Sequence, residues 1–196
     1  MSRPSCVILG GGQAGARAAE ALRKHAYAGR ITLVGEEAHL PYERPPLSKQ
    51  ILTGAAGVEK ARLFDAEFYR AQDIELRLGQ RATRIDRAGR QLLLADGTGL
   101  AYDTLLLATG ARVRRLALPG SESAPIYYLR SLEDSLAIRA RLIPGAQIVL
   151  IGGGFIGLEV AAAARRLGAS VIVLEAQPHL LARVAALAAH HPEPAV

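Results

Sequence analysis

The chain has 196 residues, half of them hydrophobic, with a formal net charge of +6 and a pI near 9.9. That length allows one or two domains with a real core, and the composition excludes disorder as the default state. The single cysteine, Cys6, excludes an internal disulfide or a paired-cysteine redox centre within the chain.

Cys6 precedes an apolar run and reads as a small buried hydrophobe. No apolar run reaches the ~18 residues of a membrane helix, so no membrane association is expected. The start, "MSRPSCVILGGG", lacks a signal-peptide layout, so a cytoplasmic location is expected. The arginine-rich charge would suit nucleotide phosphates, an acidic protein or nucleic acid. Its basic residues are dispersed and its aromatics few, so nucleic acid is not an expected partner.

Residues 5–9 (SCVIL) read as a strand ending in glycines, residues 13–25 as an alanine-rich helix, and residues 30–35 (RITLVG) as a second strand. This order predicts a parallel βαβ unit. The following "EEAHLPYERPPLSKQILTG" cannot be one regular element, because Pro41, Pro45 and Pro46 each remove a donor and fix φ. A loop of this length in a compact domain is usually functional.

A short helix is expected over 64–71, with strands over 74–78 and 80–86. "RQLLLADGTGLAYDTLLLATGA" reads as a hairpin turning at Asp96–Gly97, then a strand over 104–107. The unbroken apolar run of that strand predicts cover on both faces. A linker suggests a boundary near 115–122, followed by a strand over 126–128 and a helix over 131–142. Strand 147–151, helix 155–167 and strand 170–174 then form a second βαβ unit, complete by Glu175. His179, His190 and His191 do not make a metal site.

Each unit carries G-x-G-x-x-G between strand and helix: Gly10, Gly12 and Gly15, then Gly152, Gly154 and Gly157. The first glycine permits a tight turn, the second lets backbone approach a pyrophosphate, and the third lets helix pack on strand. The helix N-terminus offers free N–H groups to phosphate. A lone pattern of this kind reads equally as a flexible loop. Here Glu36 lies 21 residues beyond Gly15 and Glu175 18 beyond Gly157, so strand, turn, helix, strand and acid coincide twice. The two acids suit ribose hydroxyls. Glu175 favours NAD(H) over NADP(H), with Arg165, Arg166 and Arg183 near enough in sequence to soften that preference.

Several segments together resemble the FAD-dependent pyridine nucleotide-disulfide oxidoreductases, specifically the ferredoxin reductase type that serves putidaredoxin, rubredoxin and aromatic-dioxygenase ferredoxins. They are "GGGQAG", "LVGEE", "PYERPPLSK", "YDTLLLATGA", "YYLRSLEDS", "IGGGFIGLE" and "VIVLEAQPHLLAR". The resemblance covers about residues 5–184, and "PYERPPLSK" is its most specific part. It implies an α/β fold of two Rossmann-like three-layer units, the first turn holding FAD and the second NAD(H). Electrons would pass from NADH through flavin to a ferredoxin- or rubredoxin-type acceptor.

By motif position, the resemblance assigns Gly10, Gly12, Ala14 and Gly15 to the FAD pyrophosphate and Glu36 to its ribose. Ala82 would meet adenine through its backbone. Thr109, Gly110, Arg44 and Arg130 would be further FAD contacts, and Lys49 would lie beside the flavin ring. Gly152, Gly154, Ile156, Gly157, Glu159 and Glu175 would serve NAD. Lys49 and Glu159 would form a catalytic pair of opposite charges. Alternatively, Lys49 is a solvated loop lysine, Glu159 an exposed helical carboxylate and Arg44 a structural bridge.

The family's chains run to roughly twice this length, so a truncated product is expected. Residues 1–118 would be the N-terminal part of an FAD-binding domain, 119–184 a partial NAD-binding domain and 185–196 an irregular tail. Two alternatives to a working reductase follow: a non-catalytic nucleotide-binding fragment, or a half-protein completed by another chain.

Overall fold

The computed structural model describes residues 3–117 and 119–182. Arg183, His190, His191 and the expected tail over 185–196 lie outside the described residues. Numbered along the chain, the strands are β1 (Ser5–Leu9), β2 (Arg30–Val34), β3 (Ile74–Arg77), β4 (Ala82–Asp86), β5 (Gln91–Leu94), β6 (Gly99–Ala101), β7 (Thr104–Leu107), β8 (Gln147–Ile151) and β9 (Ser170–Leu174). The helices are α1 (Gln13–Lys24), α2 (Gln50–Thr53), α3 (Ala66–Ala71), α4 (Leu132–Arg139) and α5 (Phe155–Arg166). The chain divides into two compact units: Met1–Glu43 with Glu59–Arg112, and Arg44–Val58 with Val113–Val196.

The first unit is built on a parallel sheet of order β3-β2-β1-β7. Side chains alternate across β1, as strand geometry requires. Cys6 and Ile8 join Ala19 of α1, Leu33 of β2 and Tyr69 of α3 in one core layer. Val7 and Val34 instead meet Leu92 and Leu94 of the antiparallel β4-β5-β6 sheet. The layers are therefore helices, parallel sheet and antiparallel sheet. Register places Leu9 opposite both Val34 and Leu107, so β1, β2 and β7 end at one edge. Gly10, Gly35 and Ala108 emerge there, each donating its N–H to a neighbouring strand: to Val34, Arg77 and Leu9 respectively.

One arginine that the sequence does not flag closes the α1–β2 connection. Arg23 donates to the carbonyls of Tyr27, Gly29, Gln72 and Asp73 at 2.6–2.8 Å. It lies in the last turn of α1, where a cation also favours the helix dipole.

In the second unit β8 and β9 run parallel, with Ile148 opposite Val171 and Leu150 opposite Val173. Val160, Ala163 and Ala164 of α5 pack on Ile148, Leu150 and Val171, and Leu52 of α2 joins the same core. Ser131 caps α4 with a capping box to Asp134, which satisfies two otherwise orphaned N–H groups.

Two expectations need correction. Residues 104–107 form the expected strand, but Leu106 and Leu107 are 39% and 60% exposed. β7 is the edge of its sheet and pairs with β1 alone among the described residues. Residues 126–128 are not a strand. They have no ladder partner among the described residues, and their two tyrosines serve other contacts: Leu116 N–H donates to the Tyr128 hydroxyl, and Arg141 donates to that of Tyr127. The proline-rich stretch is not one regular element; it holds a 3-10 turn over Pro45–Ser48 and then α2.

Leu33 is fully buried at the centre of the first core. Leu33→Ala is expected to lower stability by about 2–5 kcal/mol, read from the urea midpoint.

Candidate dinucleotide sites

The two glycine turns have the same local geometry. Gly10 has φ +129° and Gly152 φ +105°, which L side chains rarely adopt. A Cβ on Gly15 would stand 2.0 Å from the Gly10 carbonyl oxygen, and one on Gly157 would stand 2.1 Å from that of Gly152. The third glycine of each motif thus lets the helix lie against the turn that starts it.

The middle glycines behave differently. Gly12 and Gly154 have φ of −92° and −81°, open to any residue. Among the described residues, nothing lies within 4 Å of a Cβ built on either. The chain's own packing does not require glycine there. Open space over a helix N-terminus fits a phosphate group brought close to backbone. Each of these glycines is the N-cap of a 12-residue helix with no acidic residue in its first turn. The helices' first N–H groups are therefore not taken by a capping side chain.

The acids differ in surroundings. Glu36 follows Gly35 beyond β2 and faces Arg81 at 3.8 Å, both exposed. Glu175 follows β9; its carboxylate accepts from the Gly153 N–H at 2.6 Å and the Gln177 N–H at 2.8 Å. Leu180 rests on Gly153, and the Leu181 N–H donates to the Gly153 carbonyl. Ala14 stands in the first turn of α1. Ala82 opens β4 opposite Leu94, beside a register shift. Thr109 and Gly110 follow β7 and are exposed; Gly110 has φ +70°. Ile156 is an exposed apolar side chain in the first turn of α5. Arg165 and Arg166 stand in the last turn of α5, about 15 Å along the axis from its start. They do not flank Glu175 as their sequence proximity suggested.

The remaining candidates come together in the second unit. Arg44 donates to the carbonyl of Arg130, whose N–H donates to Asp134. Lys49 Nζ lies 2.8 Å from Glu159 Oε1, with both side chains partly exposed. Ser48 donates through Oγ to the other Glu159 oxygen. Hydrogen bonds from Lys49 and then Ser48, with the Lys49 charge added, hold the Glu159 carboxyl below its ordinary value against the opposing effect of burial. Ser48 was not singled out in the sequence; only its place before Lys49 in "PPLSK" pointed to it. Cys6 is buried and its thiol is pushed up by burial, which suits packing rather than redox chemistry.

Residues 4–192 match the family described as pyridine nucleotide-disulphide oxidoreductase, and the chain belongs to that family. It is 48% identical over 177 residues to the biphenyl dioxygenase system ferredoxin–NAD(+) reductase component of Paraburkholderia xenovorans, covering 90% of this chain and 43% of that protein. It is 45% identical over 184 residues to the rubredoxin–NAD(+) reductase of Pseudomonas putida, covering 93% and 48%. The ferredoxin reductase of Rhodopseudomonas palustris superposes with TM-score 0.88 at 45% identity, covering 93% of this chain and 45% of that one. The reductase of a covalent putidaredoxin reductase–putidaredoxin complex gives 0.86 at 40%, covering 95% and 45%. The chain spans under half the length of these relatives. Among the described residues, no helix is long and apolar enough to cross a membrane.

Two outcomes follow from the site geometry. Gly15→Ala is expected to cost about 1–3 kcal/mol through the backbone clash, whereas Gly12→Ala should cost less than about 1 kcal/mol, both read by urea unfolding. For Glu159, a carboxyl held low in the folded state adds stability above its ordinary value. That stability is lost as pH falls below about 4.5 and through the lowered value. Glu159→Gln should therefore flatten the acid limb of a plot of urea midpoint against pH.

Proposed function

We propose that this chain is the nucleotide-binding portion of an NADH-dependent flavoprotein reductase that passes electrons to a ferredoxin- or rubredoxin-type acceptor. The observation that carries this reading is the pair of glycine turns whose middle glycines face open space. One dinucleotide turn would suit many enzymes. Two in one chain suit electron traffic between two cofactors. The relatives named as ferredoxin and rubredoxin reductases support the same reading.

In this reading Gly10, Gly12, Ala14 and Gly15 hold the FAD pyrophosphate, and Glu36 its ribose. Ala82, Thr109, Gly110, Arg44 and Arg130 are further FAD contacts. Gly152, Gly154, Ile156, Gly157, Glu159 and Glu175 hold NAD(H). Flavin, when bound at these residues, would supply the redox chemistry between NADH and a one-electron acceptor. Lys49, held by Glu159, places a cation where negative charge develops during reduction. Glu175 disfavours the extra phosphate of NADP(H) by charge, and two of the three arginines that could offset it, Arg165 and Arg166, stand at the far end of α5.

A second reading is a nucleotide-binding portion without turnover, completed by another chain. The exposed face of the β8–β9 sheet favours it: Val149, Ile151, Ile172 and Leu174 are each more than half exposed. Strands of parallel sheets are ordinarily covered on both faces.

The test is the visible spectrum of the purified chain before and after anaerobic NADH. A flavin spectrum that bleaches is expected. A flavin spectrum unchanged by NADH would favour the second reading, and a colourless protein that takes up no added FAD would overturn both.

A further inference from the structure

Ser48 is 5% exposed and closes the 3-10 turn over Pro45–Ser48. Its hydroxyl has a single proton, and its two acceptors within reach are Glu159 Oε2 and, at 3.3 Å, the Pro45 carbonyl. The carboxylate bond is the shorter and is charge-assisted, so the proton belongs there. The turn that carries Ser48 is itself pinned. Ser135 of α4, fully buried, donates at 2.7 Å to the carbonyl of Leu47, the residue before Ser48. Leu47, Ile51 and Leu52 on either side are buried as well. The Ser48 hydroxyl therefore sits on a rigid support, while the Lys49 chain beyond it is half-exposed and flexible.

We propose that Ser48 is the positioning residue of the Lys49–Glu159 pair. Its buried hydroxyl holds one carboxylate oxygen of Glu159 so that the other faces the Lys49 ammonium. A glutamate side chain carries three torsions and pays rotamer entropy to hold any one geometry. An exposed lysine partner alone repays little of that. A hydrogen bond from a fixed, buried donor supplies the missing constraint. Among the described residues, Lys49 is the charged group that faces the Glu159 carboxylate, from the proline-rich segment onto α5. The bearing of Ser48 on electron transfer rests on the proposed function; its hold on Glu159 does not.

The experiment is a double-mutant cycle read by NMR titration of the side-chain carboxyl carbons in glutamate-labelled full-length chain, with no cofactor added. Wild type, Ser48→Ala, Lys49→Ala and the double variant are compared, and Glu159→Gln assigns the signal. Each single variant should raise the Glu159 midpoint toward its ordinary value. In the Ser48→Ala background, Lys49→Ala should raise it by much less than in wild type, because the pair is already loosened. Ser48→Thr should keep the low midpoint. Additive shifts, or an unchanged midpoint in Ser48→Ala, would overturn the proposal. Should the alanine variant lose its dispersed spectrum, Ser48→Cys replaces it, keeping the volume with a weak donor. A chain that bleaches with NADH yet shows additive shifts would sink the Ser48 role alone. A chain that takes up no added FAD yet shows non-additive shifts would sink the reductase reading alone.

Discussion

The arrangement rests on one close approach, made twice. Gly15 lies against the Gly10 carbonyl, and Gly157 lies against that of Gly152. A methyl group at either place would push the helix off the strand before it. The first glycine of each motif makes the approach possible by taking a positive φ that turns the chain sharply back. Once the helix lies down, its N-terminal N–H groups point to the carboxyl edge of the sheet. Parallel register then brings the end of the next strand, and its acid, to the same edge. Turn, helix dipole and acid are thus consequences of a steric allowance of one hydrogen atom in each unit.

The two turns are not equivalent beyond that shared geometry. In the second, Glu175 accepts from the Gly153 N–H and Leu180 covers the same glycine. The acid is held by the turn beside it. In the first, Gly11 packs on the Gly35 backbone, and Glu36 faces outward to Arg81 across an exposed 3.8 Å gap. Surface pairs of that kind hold geometry weakly. Glu36 is therefore held less firmly by its own unit than Glu175 is.

The βαβ units, the hairpin and both glycine turns were legible because each rests on local chemistry: apolar periodicity, alanine-rich helices, and glycines at fixed spacing. The misses rest on partners that pattern cannot show. Leu106 and Leu107 read as doubly covered because a run of leucines does not reveal an edge strand. Ile126–Tyr128 has strand composition but no neighbouring strand to pair with among the described residues. Arg165 and Arg166 looked close to Glu175 in sequence, yet a helix separates them along its full length. Ser48 was invisible for the opposite reason. A serine beside prolines reads as turn chemistry, and only the packing of Pro45–Ser48 with α5 gives its hydroxyl a carboxylate.

The proline-rich segment shows how a stretch without a long regular element can still be held firmly in place. Prolines fix its backbone before folding and lower the entropy lost on ordering. Leu52 enters the core with α5, Ser135 grips the Leu47 carbonyl, and Ser48 and Lys49 divide the two oxygens of Glu159. The outer half of that last contact is wet, where a Coulombic pair is weak. Its strength rises steeply when water is excluded and the effective dielectric falls. In the proposed reductase such a pair would need its geometry before a ligand covers it, because reorganising charges during reaction forfeits the gain. A buried hydroxyl meets that need, since solvent does not screen it and its position does not depend on what covers the lysine.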